Sequence, residues 1–259
     1  MLTTASISQQ LTSFACRDRV PSTRDEQFAA LSSSLVVEVR SYALGPQGTN
    51  IERVARRFNH RMNIAHKASI VLCETPEHAV VASRRTTQHG VLAIFWTCAV
   101  YFKENELFFR NPDTLPFLFQ ETFPLDEMQL ACRPEITRTL EEVPMWKWRV
   151  LTHRSPAPLL APLPCQVLFA NSNAEAAVRC RAGEAEACIT TETARELYGL
   201  VKLHTFGSPP MVFFGGVCQN GAVLLRQALA SMSDRTTIAQ FAGTSKPDNN
   251  PSITTHTSI

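Results

Sequence analysis

The stretch Tyr42-Ala43-Leu44-Gly45-Pro46-Gln47-Gly48-Thr49-Asn50-Ile51 decides how the chain is read. Upstream of it, Ser34-Leu35-Val36-Val37-Glu38-Val39-Arg40-Ser41-Tyr42 is rich in β-branched residues and predicts a strand. Downstream, Ile51, Val54, Ala55 and Phe58 share one face of a helix, with arginines opposite. Between them, Gly45-Pro46-Gln47-Gly48 is a tight turn, and Thr49 is a helix cap or a ligand donor. Glycine lets backbone N–H groups approach a ligand closely, and a helix N-terminus attracts negative charge. The turn matches neither the phosphate-binding P-loop nor the dinucleotide fingerprint, so alone it describes an ordinary strand-to-helix connection.

Working outward, strand and helix patterns keep alternating. Residues 70–73 and 79–82 read as short strands, whereas 91–123, rich in Phe, Trp and Leu, carries no single period. Strand patterns return at 128–132, 149–151, 167–170, 188–190, 201–206 and 211–217, and 141–147 reads as a connection. Ser172 with Glu175 forms a capping box that starts one helix. Residues 191–199 form another, with a Thr cap and Gly199 as its stop. The alternation predicts an α/β fold with largely parallel strands. Residues 1–33 are polar and predict a loosely attached N-terminal extension, and 231–259, rich in Ser, Thr, Pro and Asn, predicts a disordered tail.

Composition bounds the class of function. The chain has 259 residues, 44% hydrophobic and 19% charged, with net charge +2. That suffices for one or two domains with a sizeable core, and it excludes a polyelectrolyte that wraps nucleic acid. The longest apolar run, 91–102, is interrupted by Thr97 and is too short to span a membrane. The first ten residues lack the pattern of a signal peptide, and the eight cysteines contain no Cys-x-x-Cys pair. The expectation is a cytoplasmic protein with reduced thiols buried as small hydrophobes. Only five of the 25 basic residues are lysine. Arginine grips carboxylates in pairs of bonds, so an anionic ligand or a GC-rich genome explains the bias. No histidine has the spacing of a metal ligand, and no cofactor or metal is expected.

Leu44-Gly45-Pro46-Gln47-Gly48-Thr49 resembles the opening signature of prephenate dehydratase domains. Thr152-His153-Arg154-Ser155-Pro156 stands where that family carries a Ser-His-Pro segment. Asn171-Ser172-Asn173-Ala174-Glu175, Ala187-Cys188-Ile189-Thr190 and Ala194-Arg195-Glu196-Leu197-Tyr198-Gly199-Leu200 follow in the family's order. The resemblance covers roughly residues 36–217 and is poor between 74 and 127. It implies two α/β lobes, like type 2 periplasmic binding proteins, with the active site in the cleft between them. On it, lobe 1 spans 34–126, lobe 2 spans 127–206, and 207–230 returns to lobe 1.

The chain departs from the dehydratases where their Thr-Arg-Phe motif supplies an acid for the departing ring hydroxyl. Here Pro209-Pro210-Met211-Val212 places Met211 at the threonine, and a thioether donates no proton. Where a Glu-Asn-Ser motif is expected, the chain reads Ser83-Arg84-Arg85-Thr86. The prephenate decarboxylases of bacilysin-type antibiotic pathways are similar in keeping the LGPxGT turn, a His-x-Ser-Pro segment and a Pro-Met strand. That resemblance implies loss of CO2 from prephenate without aromatisation, which requires a proton on ring carbon rather than on the hydroxyl. The expected site has Gly48 and Thr49 on one carboxylate, Arg84 or Arg85 with Thr86 on the other, and Ser155 and Met211 lining the cleft. His153 or His89 is the proton donor, because imidazole can be protonated near neutral pH. The alternatives are a dehydratase with an unusual acid and a non-catalytic binder of an anionic metabolite. The expected partner is a small molecule, with neither nucleic acid nor membrane, and a homodimer is compatible with the sequence.

Overall fold

The computed structural model describes residues 20–242. The chain begins with α1 (Arg24–Ser32), followed by β1 (Glu38–Leu44), α2 (Asn50–Arg61), β2 (Ala68–Cys73), α3 (Pro76–Arg85), β3 (Val91–Cys98) and α4 (Glu104–Phe109). Next come β4 (Thr114–Pro124), β5 (Met128–Cys132), α5 (Thr137–Glu142), β6 (Arg149–His153), β7 (Gln166–Ala170), α6 (Asn173–Arg181) and β8 (Ala187–Thr191). Last are α7 (Glu192–Leu197), β9 (Val201–Gly207), β10 (Pro210–Cys218) and α8 (Gln219–Ala242).

The strands form two five-stranded sheets, ordered β2-β1-β3-β10-β4 and β7-β6-β8-β5-β9. In the first, β1 pairs in parallel with β2 and β3, while β10 runs antiparallel between β3 and β4. The second repeats the plan: β6 is parallel to β7 and β8, and β5 is antiparallel to β8 and β9. Each sheet therefore takes its one reversed strand from the point where the chain crosses between lobes. The two crossings, at 124–128 and 207–210, lie side by side, and the Leu125 N–H donates to Pro209 O at 2.8 Å. The molecule is thus an α/β protein of two lobes with the type 2 periplasmic-binding-protein topology.

Each sheet has a core on both faces, as expected when helices cover both sides. In lobe 1, Phe58, Trp96 and Phe119 are fully buried, with Phe58 tilted against both other rings at 4.9–5.0 Å. The close approach of β10 to β3 needs Gly215, because a Cβ there would lie 2.9 Å from the Trp96 ring. Lobe 2 is built from smaller residues, with Ala131, Ala174, Ala177, Cys180 and Cys188 packed together without solvent exposure.

Three expectations change. Residues 79–82 belong to α3, which starts at Pro76 behind the Thr75 cap. Thr75 and Pro76 form a start signal that outweighs the β character of Val80-Val81. Residues 24–32 are not loosely attached: Thr23 and Glu26 form a full capping box, and α1 buries Ala30 and Leu31 in the lobe 1 core. The predicted tail is helical as far as Ala242, because Ala222, Leu225 and Ala228 dock α8. Once a helix is nucleated, each further residue adds a bond without repeating the cost of starting it. The rest of the predicted tail, 243–259, and the first 19 residues lie outside the described residues. Among the described residues, no helix is long and apolar enough to cross a membrane.

Candidate functional site

Parallel α/β sheets place binding sites at the carboxyl ends of their strands, where helix N-termini also gather. In this chain both lobes turn those ends toward each other. Leu44 at the end of β1, Thr97 and Cys98 at the end of β3, and His153 at the end of β6 line one cavity of about 290 Å³. Pro76, Asn50 and Asn173, at the starts of α3, α2 and α6, line it as well. Two strands that enter from the opposite direction contribute Met128 and Met211. The cavity is small for a ligand pocket and mostly apolar, with polar atoms at a few points.

Four of the sequence-predicted residues meet here: Thr49, His153, Ser155 and Met211. Met211 is 8% exposed and presents a thioether where a proton donor would be needed to expel a hydroxyl. The Ser155 hydroxyl donates to Val100 O at 2.6 Å, a bond from lobe 2 to lobe 1 across the cleft. Thr49 is a structural clasp. Its hydroxyl donates to Leu44 O at 2.5 Å and accepts from the Glu52 N–H at 3.1 Å.

The anion site expected at the glycine turn is already filled from within. The Gly48 N–H donates to the Glu52 carboxylate at 2.8 Å, and that carboxylate is held in turn by Arg56. Glu52 thus occupies the position that a ligand carboxylate on Gly48 and Thr49 would need. Gly48 itself is required for its backbone, at φ +92, and it lies in contact range of Ala194 of the other lobe.

Arg84, Arg85, Thr86 and His89 do not belong to the cleft. Because 79–82 is helix rather than strand, residues 83–85 form the last turn of α3 and Thr86 its C-cap, a helix length away from the Pro76 end that lines the cavity. Arg84 binds both oxygens of Asp113 at 2.6–2.7 Å and Asn111 at 2.9 Å. Arg85 and Thr86 line a separate groove with Arg40 and Gln88, and His89 is exposed in the loop that follows.

His153 is in the right place but in a different state from the one expected. It is 8% exposed; its Nδ1 accepts from the Ser155 N–H at 3.4 Å, and its buried Nε2 has no partner. Burial, reinforced by the Arg154 charge, pushes its pKa down to about 4. The ring is therefore neutral at physiological pH, with its proton on Nε2, and it can donate a hydrogen bond but is no imidazolium acid.

Three groups that the sequence reading passed over complete the site. Arg154 stands at the cleft mouth, its guanidinium 4.5 Å from the Phe169 ring centroid in lobe 2 and 5.5 Å from that of Phe102 in lobe 1. Among the described residues no carboxylate pairs with it. Its position inside the Thr152–Pro156 motif was the available signal. Asn173 opens α6 with a buried Oδ1 that has no partner. Behind the β3 wall, Glu104 accepts from the Thr97 hydroxyl at 2.7 Å, and its second oxygen is buried without a partner. Burial raises the Glu104 pKa to about 7. Glu104 falls in the segment without a period, so nothing in the sequence placed it near the cleft.

No family model matches the chain, and no curated protein matches it. Among solved structures it is similar to the Bordetella pertussis BvgS VFT2 domain, with 16% identity over 87% of this chain and 99% of that one, at a TM-score of 0.46. A second is R. palustris Rpa4515 with adipate, at 12% identity, 80% and 83% coverage and a TM-score of 0.47. A third is AncCDT-1, an ancestral amino acid-binding protein and precursor of cyclohexadienyl dehydratase. It shows 12% identity, 82% and 98% coverage and a TM-score of 0.38.

Proposed function

We propose that the chain is an enzyme that removes CO2 from prephenate, or a close analogue, without aromatising the ring. The observation that carries this reading is the meeting of His153, Ser155 and Met211 in one cleft, with a thioether where the resembling dehydratases present an acid. With no donor at Met211 the ring hydroxyl is a poor leaving group, and decarboxylation becomes the easier exit. An apolar wall also suits this step, because a compact carboxylate becomes neutral CO2 and a delocalised anion.

In place of Arg84 or Arg85, Arg154 is the cation assigned to a substrate carboxylate; it lines the groove next to the cavity together with Lys103, Glu74 and Glu77 and is stacked on Phe169. The helix N-termini that open at Asn50, Pro76 and Asn173 add positive potential on the same side. Neutral His153 donates a hydrogen bond from Nε2 and holds the substrate rather than protonating it.

Incubation with prephenate, followed by ultraviolet absorbance and product mass, tests the reading. A non-aromatic hydroxyphenylpyruvate isomer is expected. Phenylpyruvate would instead identify a dehydratase, and unchanged prephenate would exclude both enzymes. Arg154→Ala should raise KM about tenfold to a hundredfold, as loss of a charge-assisted carboxylate contact does. Arg84→Ala, which breaks the contacts with Asp113 and Asn111 away from the cleft, should leave KM unchanged.

A further inference from the structure

Carbon protonation needs an acid, and His153 is not one. We propose that Glu104, acting through the Thr97 hydroxyl, supplies the proton to the ring carbon after CO2 departs. This rests on the reading of the site as a decarboxylase and extends it.

The geometry has three parts. Thr97 sits at the end of β3, 1% exposed, among the residues that line the cavity. Its Oγ1 lies 2.7 Å from Glu104 Oε2, so one short hydrogen bond joins cavity to carboxyl. The remaining oxygen, Oε1, is buried with no partner, an arrangement that costs a charged carboxylate more than a neutral carboxylic acid.

Burial and charge around Glu104 outweigh the one hydrogen bond that favours its ionised form. Burial is the largest influence on its pKa, Thr97 opposes it, and the negative charge of Glu77 on α3 adds to it. Glu77 is held by the Tyr101 hydroxyl, 2.9 Å from both of its oxygens. Cys98 remains a neutral thiol, its pKa raised to about 12 by burial. Lys103, the neighbouring cation, is turned away over the Phe102 ring at 5.3 Å. A pKa of about 7 leaves a large fraction of Glu104 protonated at neutral pH, the condition under which an acid catalyst works best.

The step balances. The carbon–carboxylate bond breaks and leaves its electron pair on the ring system as CO2 departs. Thr97 gives its hydroxyl proton to the carbon, while the bond to Glu104 reverses and the Glu104 O–H passes its proton to Thr97 Oγ1. The products are CO2, the protonated ring and a Glu104 carboxylate, which regains a proton from water. On this scheme Thr97 is the catalytic residue, and Glu104 is the positioning residue that charges it.

The test is the pH dependence of kcat with prephenate for the wild type, Glu104→Gln, Glu104→Asp and Thr97→Val. Wild-type kcat should be level below about pH 7 and fall tenfold per unit above it. Glu104→Gln should lose about a hundredfold in kcat with KM within twofold, and the alkaline limb should vanish. Glu104→Asp should restore part of the rate together with a limb. Thr97→Val should match the loss in Glu104→Gln while infrared difference spectra still show the carboxyl group titrating, shifted upward because the Thr97 hydrogen bond that lowers its pKa is gone. That variant decides the matter if Glu104→Gln does not fold. Turnover with a full rate and an intact limb in either Glu104→Gln or Thr97→Val overturns the proposal alone. A wild-type protein that leaves prephenate unchanged overturns the decarboxylase reading and the proton route with it.

Discussion

Burial shifts Glu104 up and His153 down for one reason: it penalises whichever form is ionised. The consequences for stability have opposite signs. Between pH 4.5 and about 7 unfolded Glu104 is ionised while the folded group keeps its proton, so stability from this group falls as pH rises. Over nearly the same window unfolded His153 is protonated while the folded ring is neutral, so stability from this group rises with pH. Each amounts to about 3 kcal/mol at most, and the two largely cancel in the wild type. Chemical denaturation at several pH values should therefore show a steeper rise with pH in Glu104→Gln than in the wild type. His153→Gln should show a fall instead, each slope approaching about 1.4 kcal/mol per pH unit. Parallel slopes in all three proteins would mean that neither group is shifted. Of these two residues, His153 was legible in the sequence because a motif marks it. Its charge was not, since burial belongs to the folded state.

At the scale of elements, the turn into α2 reads correctly from its residues and works differently from expectation. The Gly-Pro-Gln-Gly-Thr segment does end a strand and start a helix, yet its N–H and hydroxyl groups serve the chain itself through Glu52 and Leu44. Thr49→Ala should cost about 1–2 kcal/mol, the price of a lost N-cap, and Thr49→Ser should recover most of it. A substrate-binding role would instead show as a rise in KM without a fall in stability. Helix α3 carries the opposite lesson. Val80-Val81 looks like strand, but Thr75 and Pro76 start a helix, and the ladder β2-β1-β3 leaves that segment to cross over the sheet. Reading 79–82 as strand put residues 83–86 at a strand end beside the cleft, whereas they close the far end of α3. Arg84 and Arg85 thereby seemed part of a site they do not touch.

At the scale of the molecule, the lobes meet on two sides of the cleft. By the crossings, the Tyr198 hydroxyl donates to Gln47 O at 2.9 Å and the Thr193 N–H to Asp126 at 2.7 Å. At the mouth, the contacts are Ser155 with Val100 O and Arg154 with Phe102. Ser155→Ala removes one bond there, worth about 0.5–1.5 kcal/mol, so opening should be favoured by about twofold to tenfold. Small-angle scattering should record a larger radius of gyration for Ser155→Ala without substrate and a smaller difference at saturation. Identical curves without substrate would show that the mouth contacts do not hold the lobes together.

The sequence by itself determined what depends on near neighbours in the chain: the caps at Thr49, Ser172 and Thr191, most of the strands, and the alternation that makes an α/β fold. It also marked His153, Ser155 and Met211, whose motifs lie at strand ends and so arrive together once the sheets form. Only the tertiary structure decided the charge of His153, the location of Arg84 and Arg85, and the place of Arg154 and Glu104. A charge depends on the water a group has lost and on partners far away in the chain. Glu104 faces Thr97 because a short helix folds back on β3, and no periodicity in residues 91–123 announces that turn.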